Sequence, residues 1–128
     1  MKKRKGLVAA VVLVAGLLLA ACGGGSQGGG TGNLTVTAKE SGCTGGAAYC
    51  WDPGELSVTS GQQVTVNVQN PNGQQHTFLF RENVAGATKV DLQANQNGSM
   101  SFSAPAAGTY TYYCDVLGHE QLGMVGTM

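Results

Sequence analysis

Thr109-Tyr110-Thr111-Tyr112-Tyr113-Cys114-Asp115-Val116-Leu117-Gly118-His119-Glu120-Gln121-Leu122-Gly123-Met124 is the stretch on which the reading of this chain turns. Its first part, threonine and tyrosine in a run, has strand composition. Successive strand side chains point to opposite faces. Tyr110, Tyr112 and Cys114 therefore share one face, taken as inward, and Tyr113 takes the other. The second part spaces a thiol, an imidazole and a thioether as C-x4-H-x4-M. These steps leave room for a turn at Leu117-Gly118, so one loop can bring all three donors round a single point.

The pattern of short strands continues upstream. Leu34 to Ala38 alternates with period two, as do Val64 to Val68 and His76 to Phe80. Leu56 to Val58, Lys89 to Leu92 and Ser99 to Ser103 read as further strands, and Met124 to Met128 as a closing one. Between them lie a loop holding Cys43, Cys50, Trp51 and Pro53, and turns at Ser60-Gly61-Gln62, Asn70-Pro71-Asn72-Gly73 and Pro105 to Gly108. No window shows helical periodicity and no repeat is present. Many short strands in about 100 residues imply an all-β sandwich or barrel.

The N-terminal end reads differently. Met1 to Lys5 is a basic head, and Gly6 to Ala21 is apolar or small throughout, the form of a secretory signal. At about 16 residues that run is short for a membrane span, which needs roughly 20. Leu19-Ala20-Ala21-Cys22 resembles the lipobox of bacterial lipoproteins, which implies that Cys22 is lipidated and becomes the mature N-terminus. A Gly-rich linker follows to Gly32, with a root-mean-square span of about 17 Å. The expected organisation is a signal at 1–21, lipidated Cys22 and linker at 22–32, and one domain at 33–128, tethered to the membrane outside the cytoplasm.

Charge and cysteine usage agree with that location. The chain is formally neutral, but Lys2, Lys3, Arg4 and Lys5 sit in the signal. What remains is Lys39, Arg81 and Lys89 against seven acids, a net charge of −4. Such a surface argues against nucleic-acid binding, which needs a basic patch. Cys43 and Cys50 flank a small, Gly-rich loop of an exported protein, where disulfides persist. They read as a disulfide; a second metal site is the alternative, but no histidine lies nearby. Cys114 is left as an unpaired thiol.

Outside the signal the histidines are His76 and His119 alone. Two imidazoles and a thiolate make a trigonal set, and a thioether adds a weak axial contact, the ligand list of blue copper. Cys114, His119 and Met124 come from the late loop and His76 from a distant strand, segments that a sandwich can place side by side. Met100 sits in a strand at no metal spacing and reads as core. Met128 is terminal and is assigned no role.

The segment Gly108-Thr-Tyr110-Thr-Tyr112-Tyr113-Cys114, with Gly118-His119 and Gly123-Met124, is very similar to the copper-binding end of the cupredoxins: plastocyanins, azurins and auracyanins. The C-x4-H-x4-M spacing resembles auracyanin or azurin. The resemblance implies a Greek-key β-sandwich of seven to eight strands carrying one type 1 copper ion. His76, Cys114 and His119 would be its ligands and Met124 its axial group, with a carbonyl contact from Gln75 as in azurins. Thr77 stands where relatives often have an asparagine that ties the ligand loops together, and its hydroxyl and N–H could do similar work. Leu117 replaces a common proline. Tyr113 matches a docking-surface tyrosine of plastocyanins and is a candidate second electron route, and Leu117 and Leu122 are candidates for an apolar rim round His119.

The implied function is one-electron transfer, by a monomer, between redox proteins such as a cytochrome or terminal oxidase. A copper-binding or delivery lipoprotein is the alternative. An enzyme is not expected. Multicopper oxidases and copper nitrite reductases need more histidines, zinc prefers four strong ligands, and a dinuclear copper centre needs a second cysteine, absent from positions 115 to 118.

Overall fold

A computed structural model describes residues 31–128. The expected signal at 1–21 and the expected lipidation site Cys22 lie outside the described residues. Alternation settles most of the strands. Val64, Val66 and Val68 point inward from β3 (Gln63–Gln69), with polar residues between them facing out. Val36 and Ala38 do the same from β1 (Thr31–Lys39), and Met100 and Phe102 from β6 (Asn97–Ser103). With β2 (Cys50–Asp52) these strands form one sheet in the order β2-β1-β3-β6.

The second sheet has the order β5-β4-β7-β8, from β5 (Val90–Leu92), β4 (His76–Phe80), β7 (Thr111–Tyr113) and β8 (Val125–Thr127). The inner faces meet on a core that includes Trp51, Phe78, Leu92 and Tyr112. The Phe78 ring lies 5.2 Å from Trp51 and 5.0 Å from Tyr112, centroid to centroid. Burial of a large apolar side chain stabilises by roughly 1.5–3 kcal/mol, so this layer holds the two sheets together. The fold is the expected all-β sandwich, with eight strands among the described residues. Among the described residues no helix is long and apolar enough to cross a membrane.

Three details differ from the sequence expectation. Strand β1 starts at Thr31, so Thr31 and Gly32, read as the end of the linker, pair in parallel with Gln63 and Val64. Leu56 to Val58 is not a strand. Leu56 is buried and its N–H reaches the Thr127 carbonyl at 2.8 Å, but pairing there stops at one Glu55–Thr127 bridge. Strand β2 falls inside the segment read as a loop; Trp51 is buried and Ala38 pairs with it across the sheet. Cys43 and Cys50 form the expected disulfide, which closes the loop entering β2.

Candidate metal centre

Strand β4 opens with His76, and strand register carries this residue to the end of the sandwich. The turn before it is held by Asn70, which is fully buried. Its side-chain amide donates to the carbonyls of Gln74 and Gln93, at 2.8 and 2.9 Å. Asn72 donates to the Ala38 carbonyl at 2.7 Å, pinning the same turn to the end of β1.

The other donors come from the loop joining β7 to β8. The Cys114 N–H donates to the Met124 carbonyl and the Met124 N–H to the His119 carbonyl, at 3.1 and 3.0 Å, which closes the loop on itself. Two glycines permit this path. Gly118 and Gly123 have φ of +87° and +111°, in the region that side chains with a Cβ avoid. A Cβ on Gly123 would also lie 2.8 Å from the Tyr49 carbonyl oxygen.

These elements bring His76, Cys114 and His119 together, with one donor atom from each within 4.8 Å of the others. The two Nδ1 atoms are 3.2 Å apart, and Cys114 Sγ is 3.6 Å from His119 Nδ1. His76, Cys114 and Met124 are fully buried and His119 is 6% exposed. Three atoms that carry lone pairs thus converge on one small, water-poor volume. A cation bound between them would turn their mutual repulsion into attraction, and soft sulfur with two imidazoles suits copper. The donor set therefore fits the metal read from the sequence. Met124 is tied through its backbone to both Cys114 and His119, and its side chain is fully buried. The side chain of Gln75, just before His76, is exposed.

Electrostatics separate the three donors. Burial pushes the Cys114 thiol up, but the neighbouring His76 and Thr77 side chains and the N–H groups of Thr77 and Val116 outweigh it and lower the pKa. Burial pushes His76 down, yet Cys114 and Glu40 outweigh it and hold the imidazole above its ordinary range. Burial, and then the neighbouring His76, lower His119.

Thr77 divides its work between the two ligand segments. Its N–H points to Cys114 Sγ at 3.3 Å. Its hydroxyl accepts from the Asp115 N–H at 2.9 Å and donates to Asp115 Oδ1 at 2.7 Å, with Sγ a distant 3.5 Å away. The hydroxyl therefore ties the two loops, and the backbone N–H serves the sulfur. Lys89 completes the network by donating to Asp115 Oδ2 at 2.9 Å. Glu40, Asp115 and Lys89 were not singled out in the sequence; each lies outside any metal-ligand spacing, and nothing local marks it.

Outside the donors, Leu117 is 98% exposed and Leu122 is also exposed, both on the loop that carries His119, the one ligand candidate that reaches solvent. Tyr113 lies on the outer face as expected, half-buried, with the Arg81 guanidinium 4.7 Å above its ring. Arg81 also pairs with Glu120, next to His119.

Residues 9–125 match the family model of the cupredoxin-like domain. The chain is 35% identical over 121 residues to auracyanin-A of Chloroflexus aurantiacus, covering 73% of this chain and 72% of that one. It is 35% identical over 91 residues to plastocyanin B'/B'' of Nicotiana tabacum, covering 64% of this chain and 86% of the relative. The solved structure of auracyanin A, described as a "blue" copper protein from the green thermophilic photosynthetic bacterium Chloroflexus aurantiacus, superposes with a TM-score of 0.58 at 26% identity, covering 77% of this chain and 97% of that one. Sandwich, donor cluster and sequence similarity lead to one assignment: this chain belongs to the cupredoxin-like family.

Proposed function

We propose that the protein is a blue-copper electron carrier, with His76, Cys114 and His119 as strong ligands and Met124 as the axial group. The observation that carries this reading is the convergence of the three buried donor atoms within 4.8 Å. Copper, when bound, supplies a centre that gains or loses one electron. The residues supply rigidity: they hold the donors in one arrangement through the loop closure, the Thr77–Asp115 tie and the packed β4 strand, so little has to move when charge changes. Burial excludes water, and His119, 6% exposed on the loop that also presents the exposed Leu117 and Leu122, is the proposed way in for an electron. A small apolar rim suits brief docking of low buried area, as in redox encounters. The partners are redox proteins of the cytochrome or oxidase class. The signal-like N-terminus and the −4 net charge of residues 22–128 support a location outside the cytoplasm on a lipid tether at Cys22. A delivery role calls for ready release, which full burial of His76, Cys114 and Met124 opposes. The two histidines leave no ligands for the further coppers of an oxidase.

The test is to load the protein with copper and record its visible spectrum and potential. An intense thiolate-to-copper band with reversible one-electron cycling is expected; a colourless complex refutes the reading. Cys114→Ala should abolish the band entirely. Met124→Leu should keep copper bound and the band intense while raising the potential, because the axial donor that favours the cupric form is gone; an unchanged potential rules Met124 out as that donor.

A further inference from the structure

Glu40 sits one residue past the end of β1, and nothing about the ligand set calls for a carboxylate there. Its Oε1 lies 3.0 Å from Nε2 of His76, whose own side chain is fully buried, while the Glu40 side chain keeps 23% of its surface in solvent. We propose that Glu40 is a positioning residue for the metal centre, one that fixes the tautomer of His76 and biases the bound ion toward its more oxidised state.

The geometry makes the first half of that role specific. A carboxylate accepts only, so Nε2 must carry the proton that joins the two groups. Nδ1 is then the bare nitrogen, and it is the atom that faces His119 Nδ1 at 3.2 Å. Packing alone does not achieve this. The rings of Tyr49 and Trp51 lie edge-on to His76, 5.9 and 6.4 Å away between centroids, and limit its tilt without choosing which nitrogen is protonated. Carboxylate partners of this kind orient a ligand imidazole and raise its basicity. The same charge, acting through a buried ring, favours the ion form with more positive charge.

Glu40 is itself held in register. The Asn72 amide grips the Ala38 carbonyl two residues earlier, on the turn that leads into His76. Lys39, the adjacent cation, is drawn to Asp52 at 3.4 Å, which leaves the Glu40 carboxylate to the imidazole.

The inference rests on the copper reading for its electronic half, and its experiment separates the two. In the copper-free protein, above the pH at which imidazoles are protonated, long-range proton–nitrogen correlation NMR should show His76 as the single Nε2–H tautomer. Glu40→Ala should convert it to a mixture; an unchanged tautomer overturns the positioning role whether or not the protein binds copper. In the copper-loaded protein, Glu40→Gln keeps an oxygen acceptor but no charge. It should leave the visible band in place and shift the preference for cuprous over cupric ion by about tenfold, or about 59 mV for one electron. A shift of less than twofold overturns the electrostatic role. If the wild type takes up copper without the intense band, the copper reading fails by itself, and the NMR result still decides the tautomer.

Discussion

His76 and His119 present the same atom, Nδ1, to the same point, 3.2 Å apart, yet their surroundings are opposite. His76 belongs to a sheet. It is fully buried on β4, aligned with Leu92 across the strand pair, and tied to Glu40 on its far nitrogen. His119 belongs to a loop. Its N–H is held by the Val116 carbonyl at 3.0 Å, its ring packs edge-on to Tyr49 at 4.8 Å, and its neighbour Leu117 stands almost free in solvent. In the proposed carrier, one imidazole is a fixed wall of the centre and the other is its doorway. A carrier needs both, because a site that is rigid everywhere offers no contact to a partner, and one that is open everywhere rearranges with each electron.

The largest expected effect separates the two by stability. In the copper-free protein, His76→Ala leaves a void in the sheet and a carboxylate without its partner. A cost of about 3 kcal/mol is expected from cavity and lost hydrogen bond together. His119→Ala empties a site at the rim and should cost about 1 kcal/mol, since the loop can relax into the space. Urea unfolding of both variants reads the difference; equal costs break the distinction between wall and doorway.

A smaller effect tests the doorway directly. Leu117→Ser should slow electron self-exchange between oxidised and reduced copies roughly fivefold, the loss of about 1 kcal/mol from a contact at the centre of an encounter surface. Stability should change by less than about 0.5 kcal/mol, as for other exposed positions. An unaffected exchange rate moves the doorway elsewhere, with Tyr113 the next candidate.

The smallest effect is one of proton order. His76 is raised, against burial, by Cys114 and Glu40, and His119 is lowered by burial and by His76. On acidifying the copper-free protein, His76 should take its proton first and His119 second, as followed by imidazole proton shifts in NMR. The two act on stability in opposite senses. His76 contributes stability that is full below the unfolded histidine value and lost as pH rises through its raised folded value. His119 contributes stability that is present above the unfolded value and lost as pH falls toward its lowered one. Reversal of the proton order would contradict the opposite displacement of the two imidazoles.

Much of this contrast was readable in the residues. Alternation in Leu34 to Ala38, Val64 to Val68 and His76 to Phe80 marked strands that the structure contains, because the period of two is a local property of the chain. The run from Cys114 to Met124 marked the loop, because one turn can gather donors spaced five residues apart. The failures have equally local causes. Three residues of β2 are too few to show a period, and Leu56 to Val58 has the period but finds no neighbouring strand beyond a single bridge.

From the sequence alone came the class of fold, the four candidate donors and the cysteine pair, since each depends on residue type and short spacing. Tertiary structure decided that β1 reaches back to Thr31 to lie parallel to β3, that Thr77 spends its hydroxyl on Asp115, and that Glu40 stands behind His76. Those contacts join residues more than 30 positions apart. Their energies arise only once two sheets have packed and the ends of unrelated strands share one small, dry volume, and no local pattern in the chain carries that information.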